Sequence, residues 1–363
     1  MGRVSLKDIA GELGISEQTV SRALRGERYV RPELKRQIQE LADKLGYRPD
    51  PRLNALLAHL RQGKQAARGE TMALILPDSS EKTARKYHFT RGIVEGVEAR
   101  IERFGFGLEI HALEDYPSRE MLERVLRARG IELLIIAPMI KGNRRSLSLH
   151  WERYAAVLIG PGIWRPRLNR VLPNYYLNLL QILRHVKKLG YRRPALVIKE
   201  SVLVRAASSV EASFRQNAGL IGLKNPRNFV YREPVEDHPD GYRDWLIKME
   251  IDVVLSDQCD DRLLRRIGFS IPQDLGFIGI GGDLPPEISG IDVRTDLLGA
   301  HAVDLLAGHY YRNERGIPDI PKILMHEGEW QPGATTKVQP SKKWRSLTPS
   351  PSVKYVASGD GAK

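Results

Sequence analysis

The sequence predicts a small all-helical head followed by a two-lobed, doubly wound α/β body. Three observations lead there. Residues 5–45 hold three short apolar repeats at helical spacing, each with its own start and stop residues. From residue 71 onward, short apolar runs alternate with longer amphipathic segments. That alternation occurs twice, over about residues 71–160 and 161–290. A chain of 363 residues is too long for one ordinary domain, and 42% hydrophobic residues are enough for separate cores.

The head is placed at residues 3–48. Ser5 suits a helix N-cap, with Asp8 three residues on in a capping-box arrangement. Leu6, Ile9, Ala10 and Leu13 share one face of this helix, and Gly14 suits the turn that ends it. Ser16 caps a second helix, which turns Val20, Ala23 and Leu24 inward and ends at Gly26. Pro32 opens a third at its first position, and Leu34, Ile38, Leu41 and Leu45 recur at helical spacing until Gly46. Three such helices around one apolar cluster make a minimal bundle. The second keeps polar and basic residues on its outer face, which is how a helix is presented to the major groove of DNA.

Residues 49–70 form a connector. Asp50 and Pro51 suit the cap and first position of a short hinge helix, and Arg61 to Gly69 reads as a flexible link. In the body, the strand candidates are Met72–Leu76, Gly107–Ala112, Leu133–Ala137, Ala156–Ile159, Ala195–Ile198, Val253–Leu255 and Phe277–Ile280. Helical patterns lie between them at Gly92–Phe104, Arg119–Arg129, Asn178–Leu189 and Asp260–Ile267. This alternation predicts parallel sheets with helices on both faces. The body spans 71–336. Its first lobe is expected at 71–160 with a returning segment at 291–320, and its second at 161–290 with 321–336. Residues 337–363, rich in Ser, Pro, Lys and Gly, are expected to form a disordered tail.

A formal charge of +13 favours a polyanionic partner, yet residues 1–70 hold 14 Lys/Arg against 9 Asp/Glu. The basic surplus is therefore spread along the chain. The single cysteine, Cys259, rules out an internal disulfide and fits a reducing compartment. The chain is polar by residue 3 and has no apolar stretch of membrane-spanning length, so a cytoplasmic location without a membrane partner is expected. The nine histidines show no metal-ligand spacing, so no metal is expected. Gly279-Ile280-Gly281-Gly282 lacks dinucleotide-binding spacing and reads as a tight strand-end turn. No phosphate-binding loop and no nucleophile elbow occur, so no catalytic residue, no cofactor and no enzyme activity are expected.

The head, the junction Tyr47-Arg48-Pro49-Asp50 and the doubly wound body together resemble the lac repressor/purine repressor family of bacterial transcription regulators. The residues that carry the resemblance are Thr19-Val20-Ser21-Arg22 following Gly14-Ile15-Ser16, and Leu45-Gly46-Tyr47-Arg48-Pro49. It continues in Lys188-Leu189-Gly190-Tyr191-Arg192-Arg193 and in Ile271-Pro272-Gln273-Asp274-Leu275. The resemblance implies a helix-turn-helix head, a hinge helix and a body of periplasmic-binding-protein type. It also implies a homodimer on a near-palindromic operator, repression by occlusion, and a small effector bound between the lobes, a sugar or a purine. Activation stays open, because the sequence does not encode where the operator lies.

On the second helix, Glu17, Gln18 and Arg22 are the candidates for base contacts. Arg22 can donate two bonds to guanine, and Gln18 can pair with adenine. Glu17 either accepts from cytosine or only favours the helix N-terminus. Ser5, Ser16, Thr19, Ser21, Arg25 and Tyr29 are suited to phosphates. In the hinge helix the family's minor-groove wedge falls on Leu56; the alternative is an apolar face made by Leu53, Leu56, Leu57 and Leu60 against a dimer mate. Strand-end placement makes Asp78, Tyr87, Phe89, Asn174, Arg205, Asp257 and Asp283 the candidates for effector contacts. Two rival readings remain: a solute-binding protein of the same body fold, and a sugar-processing enzyme with a helical extension.

Overall fold

The computed structural model describes residues 6–24, 31–45, 47, 70–139, 147–160, 165–198, 209–232, 235, 237–257, 261–282 and 284–339. The head contains α1 (Leu6–Leu13), α2 (Glu17–Leu24) and α3 (Pro32–Leu45). Its core is Ile9, Ala10, Val20, Ala23, Ile38 and Ala42, ringed by Leu6, Leu13, Ile15, Leu24, Leu34, Leu41, Leu45 and Tyr47. Gly14 turns the chain between α1 and α2 at φ +63°, a backbone state that disfavours side chains with a Cβ. The Ile15 N–H then donates to the Ala10 carbonyl at 3.0 Å, which satisfies a free helix-end group.

The first lobe takes β1 (Thr71–Leu76), α4 (Glu81–Lys86), α5 (His88–Phe104), β2 (Gly107–Ala112), α6 (Arg119–Ala128), β3 (Leu133–Ile136), β4 (Ala155–Ile159) and β5 (Asn169–Pro173). The second takes α7 (Tyr175–Leu189), β6 (Pro194–Val197), α8 (Ser209–Asn217), β7 (Val230–Tyr231), α9 (Pro239–Lys248), β8 (Val253–Ser256), α10 (Arg262–Arg266), β9 (Gly276–Gly279) and β10 (Gly290–Asp292). The chain then returns through α11 (Thr295–Arg312), β11 (Ile323–His326) and β12 (Glu329–Gln331).

Both sheets have six strands. Their orders are β2-β1-β3-β4-β5-β11 and β7-β6-β8-β9-β10-β12, one doubly wound order used twice. Every neighbouring pair in the first sheet is parallel. In the second sheet only the β10–β12 pair is antiparallel. Period-two burial on β1 shows why apolar runs mark these strands. Met72, Leu74 and Leu76 enter one core of the first lobe, while Ala73 and Ile75 enter the core on the other face.

Sheet membership moves the lobe boundaries expected from sequence. Residues 169–173 lie in the first sheet, so the chain leaves that lobe after Pro173 rather than near residue 160. Residues 290–292 lie in the second sheet, and β11 pairs with β5 in the first. The chain therefore crosses between lobes three times, around 174, 293–294 and 327–328. The missed strand β5 reads Asn-Arg-Val-Leu-Pro, too polar for the apolar-run criterion. Residues 337–339, expected in the tail, are bonded to the second lobe. The Lys337 N–H donates to Tyr191 Oη at 3.2 Å, and the Gln339 N–H to the Leu189 carbonyl at 2.7 Å. Residues 340–363 lie outside the described residues.

The returning helix α11 completes the first lobe. Leu298, Ala302, Val303, Leu306 and Ala307 fill its core. It lies directly on α5, where a Cβ on Gly96 would collide with the Asp296 backbone and one on Gly299 with the Ile93 backbone. Arg100 and Asp304 clamp the pair, with Nε–Oδ1 at 2.6 Å and Nη2–Oδ2 at 2.8 Å. Among the described residues, no helix is long and apolar enough to cross a membrane.

Candidate nucleic-acid interface and interlobe crevice

In α2 the apolar residues decide the outward side. Val20 and Ala23 are fully buried against α1 and α3. At roughly 100° per residue, the backbone positions of Gln18 and Arg22 fall about 160° and 200° round from Val20, opposite the bundle. Glu17 is exposed but sits only about 60° from Val20, on the flank. Its place in the first turn suits the positive end of the helix dipole.

Ser16 is the N-cap. Its Oγ accepts from the Thr19 N–H at 3.1 Å and lies 2.8 Å from Thr19 Oγ1. These two expected phosphate ligands are therefore engaged with each other at the helix start. The side chains of Gln18, Ser21 and Arg22 lie outside what the structure describes. Ser5, Arg25, Tyr29 and Leu56, with the whole connector 48–69, also lie outside the described residues.

The effector candidates were expected at the carboxyl ends of the strands. Asp78 and Ser79 follow β1 and are both buried. Asp257 follows β8, half-buried beside the buried Ser256. Gly281 and Gly282 follow β9 at φ +125° and +90°, which makes the tight strand-end turn. Phe89 packs against the buried cores of both lobes and thus bridges them. Tyr87 links α4 to α5 and is 49% exposed. Arg205 and Asp283 lie outside the described residues.

Asn174, expected to meet the effector, has a structural part in the fold. Its Oδ1 accepts from the Leu177 N–H at 3.2 Å, capping α7, and its own N–H donates to the His326 carbonyl at 2.8 Å. It belongs to the crossing of the chain between lobes, where its side-chain oxygen caps α7. Sequence reasoning also missed His326 and Asn178, which join this crossing to the other two. Neither stands in a motif; only the sheet order brings them together.

Electrostatics at the crossings are local. Arg294 binds Asp296 through Nε–Oδ1 at 3.0 Å and Nη2–Oδ2 at 2.9 Å, and its hydrogen bonds hold the Asp296 carboxyl below the usual carboxylate range. Burial pushes the His326 imidazole below its ordinary value, against the opposing effect of its bond to the Val293 carbonyl. Among the described residues, no three His, Cys, Asp or Glu side chains group as a metal site.

Comparison with known proteins agrees with this arrangement. The profile of bacterial regulatory proteins of the lacI family matches residues 5–50, and that of the periplasmic binding protein-like domain matches residues 183–336. Catabolite control protein A of Staphylococcus xylosus is 34% identical over 356 residues, covering 92% of this chain and 99% of that protein. The chain belongs to the LacI family of bacterial regulatory proteins. Its fold is that of two solved family structures. A complex of the transcriptional regulator CelR with cellobiose aligns with a TM-score of 0.54 at 19% identity, covering 92% of this chain and all of that one. The lac repressor dimer bound to operator and an anti-inducer aligns at 0.53 and 17%, covering 93% of this chain and all of that one. This LacI-family chain is thus a DNA-binding transcriptional regulator, and other relatives it matches carry the names of regulators and repressors rather than of enzymes.

Proposed function

We propose that this LacI-family regulator is a cytoplasmic homodimeric repressor that binds a near-palindromic operator and changes affinity when a small sugar enters the crevice between its lobes. The observation that carries the reading is α2, whose inner side is fixed by Val20 and Ala23 while the backbone of Gln18 and Arg22 faces away from the bundle. Two such helices, one per protomer, would sit in successive major grooves of one operator. Gln18 and Arg22 read bases, and Glu17 stands at the edge of the readout. Ser5, Ser21, Arg25 and Tyr29 hold phosphates, with Ser16 and Thr19 in a capping role that still leaves hydroxyl capacity for one. Leu56 enters the minor groove, an unstacking that costs a few kcal/mol and is offset by contact with bent DNA.

A sugar is favoured over a purine because the fold is shared with a regulator seen in complex with cellobiose. The ligand must prefer one lobe geometry over the other, since equal affinity for both would shift no population. Asp78, Phe89 and Asp257 are the described residues that would meet it, with Tyr87 at the rim; Arg205 and Asp283, outside the described residues, are the further candidates.

Selection of bound sequences from random duplex DNA, with the purified full chain, tests the reading. It should return an inverted repeat. Arg22→Ala should remove preference at one base pair of each half-site, about 1–3 kcal/mol of discrimination, while weak salt-sensitive binding persists. Equal affinity for every duplex would overturn the proposal.

A further inference from the structure

The three crossings between the lobes meet at one residue. His326 ends β11, the last strand of the first sheet before the chain passes to β12. Its carbonyl accepts from the Asn174 N–H at 2.8 Å, and Asn174 is the first crossing. Its Nε2 lies 2.9 Å from the carbonyl oxygen of Val293, which is the second. A carbonyl can only accept, so His326 carries its proton on Nε2 and donates it. The third crossing is the chain of His326 itself, where the Gly328 N–H donates to Asn178 Oδ1 at 2.8 Å. The structure leaves little room there, because a Cβ on Gly328 would collide with Ile291 and Asp292.

We infer that His326 is a fastener of the interlobe hinge: one backbone carbonyl and one ring nitrogen tie all three crossings, so losing the ring's hold on Val293 loosens the mutual angle of the lobes. The consequence for operator affinity rests on the function proposed above, whereas the hinge itself does not. His326 Nδ1 is buried and has no hydrogen-bond partner among the described residues, so the ring gains nothing by turning over in place. The neighbouring charges are Arg294, Asp296 and His301, with Asp304 behind His301, Glu329 behind Arg294, and Glu327 next in the chain. Arg294 and Asp296 neutralise each other across their two bonds. What holds the ring is therefore its single bond to Val293 and its contact with the His301 ring, whose centroid is 5.3 Å away.

Three full-length variants test this. His326→Leu removes the donor. His326→Asn stays polar but is too short to reach Val293. His326→Gln places an amide nitrogen near the position of Nε2 and keeps the bond. Hydrogen exchange is followed at 174–178, 292–296 and 326–331, with β1 and β8 as internal references. The lobe-to-lobe distance is followed between spin labels at Arg103→Cys and Lys248→Cys in a Cys259→Ser background, with labelled chains diluted into unlabelled protein. The expected result is a threefold to tenfold rise in exchange at all three crossings in the Leu and Asn variants, about the worth of one net hydrogen bond, with β1 and β8 unchanged. The distance distribution should broaden or shift in the same two variants and return to that of the parent in His326→Gln. An unchanged distribution in His326→Asn overturns the inference, and so does a Gln variant that behaves like Asn. Should the Leu variant fail to fold, the Asn and Gln pair still decides. Neither readout needs DNA or a ligand, so a failed operator selection leaves this result standing.

Discussion

The two lobes share one strand order and are completed in different ways. The second lobe is nearly self-contained, with β6 to β10 contiguous in sequence and only the short antiparallel β12 added at the end. His185 stacks on Trp330 at 4.0 Å and 6°, which pins that last strand to α7. The first lobe stays unfinished until residue 326. Its most extensive helix contact, α5 on α11, and its sixth strand, β11, both arrive after the first five strands of the second lobe have been made. Stability of the first lobe is thus bound more heavily to the chain that passes through the hinge, which supplies a long helix and a strand there but only β12 and the residues after it to the second.

Substitutions can break this contrast one lobe at a time. The largest effect is expected in the second lobe from Phe214→Ala. Phe214 is fully buried on α8, and deleting such a ring costs about 3–5 kcal/mol. Urea unfolding should show that loss, and hydrogen exchange should place it in β6 and β8 while β1 keeps its protection. Gly96→Val should cost about 1–3 kcal/mol by forcing α5 away from α11. Here β1 and β3 should lose protection first, and the crossings at 292–296 should follow because α11 begins there. If Gly96→Val loosens both lobes equally from the start, the lobes are not separable in the manner described.

A smaller and pH-dependent effect is expected in the returning segment. His309 is buried on α11 with Nε2 2.9 Å from Asn169 Nδ2 and Nδ1 2.5 Å from Glu314 Oε2. Asn169 Nδ2 can only donate, so His309 accepts at Nε2 and donates from Nδ1 as a neutral ring. Burial holds its affinity for a proton below the ordinary value, outweighing the pull of Glu314. Arg312 first, and His309 second, hold the Glu314 carboxyl down to about 2. Both groups act in one direction. Stability from His309 is complete above the ordinary histidine value of about 6.5 and falls as pH drops below it. Stability from Glu314 is complete above the ordinary glutamate value of about 4.3 and falls as pH drops toward 2. Urea midpoints measured against pH should therefore decline in two stages, and Glu314→Gln should remove only the lower one.

The smallest effect is expected from Arg100→Ala. The pair with Asp304 is bidentate but about one-third exposed, so solvent screening leaves it about 1 kcal/mol or less. High salt should erase most of the difference between this variant and the parent.

How much could be read from the chain differed by region. In the head, Ser16, Gly14 and the repeat of Ile9, Val20 and Ile38 act over three or four residues, so caps, turn and core were all legible. In the body the central strands were legible because both of their faces are buried, as for Leu133–Ile136. The edge strand β2 was legible as well, but β5 and β11 were not. β5 alternates buried and half-exposed residues, and β11 exposes Ile323 and Met325 at the edge of its sheet. Phe89 was found as a strand-end aromatic, but its contact with both cores depends on how close the lobes lie. Asn174 was placed at the correct strand end, and its capping of α7 was not read, because an asparagine before a helix reads equally well as a cap or a ligand.

The sequence by itself determined the elements and the kind of molecule: a capped three-helix head that offers one polar helix face, and a twice-repeated βαβ order, since both arise from local periodicity and capping. Only the tertiary structure decided where the chain passes from lobe to lobe and which residues meet there. Those contacts join positions more than a hundred residues apart, such as Asn174 with His326 and Asn178 with Gly328. No local pattern encodes such a pairing; it exists once two sheets have formed and the chain must be tied between them.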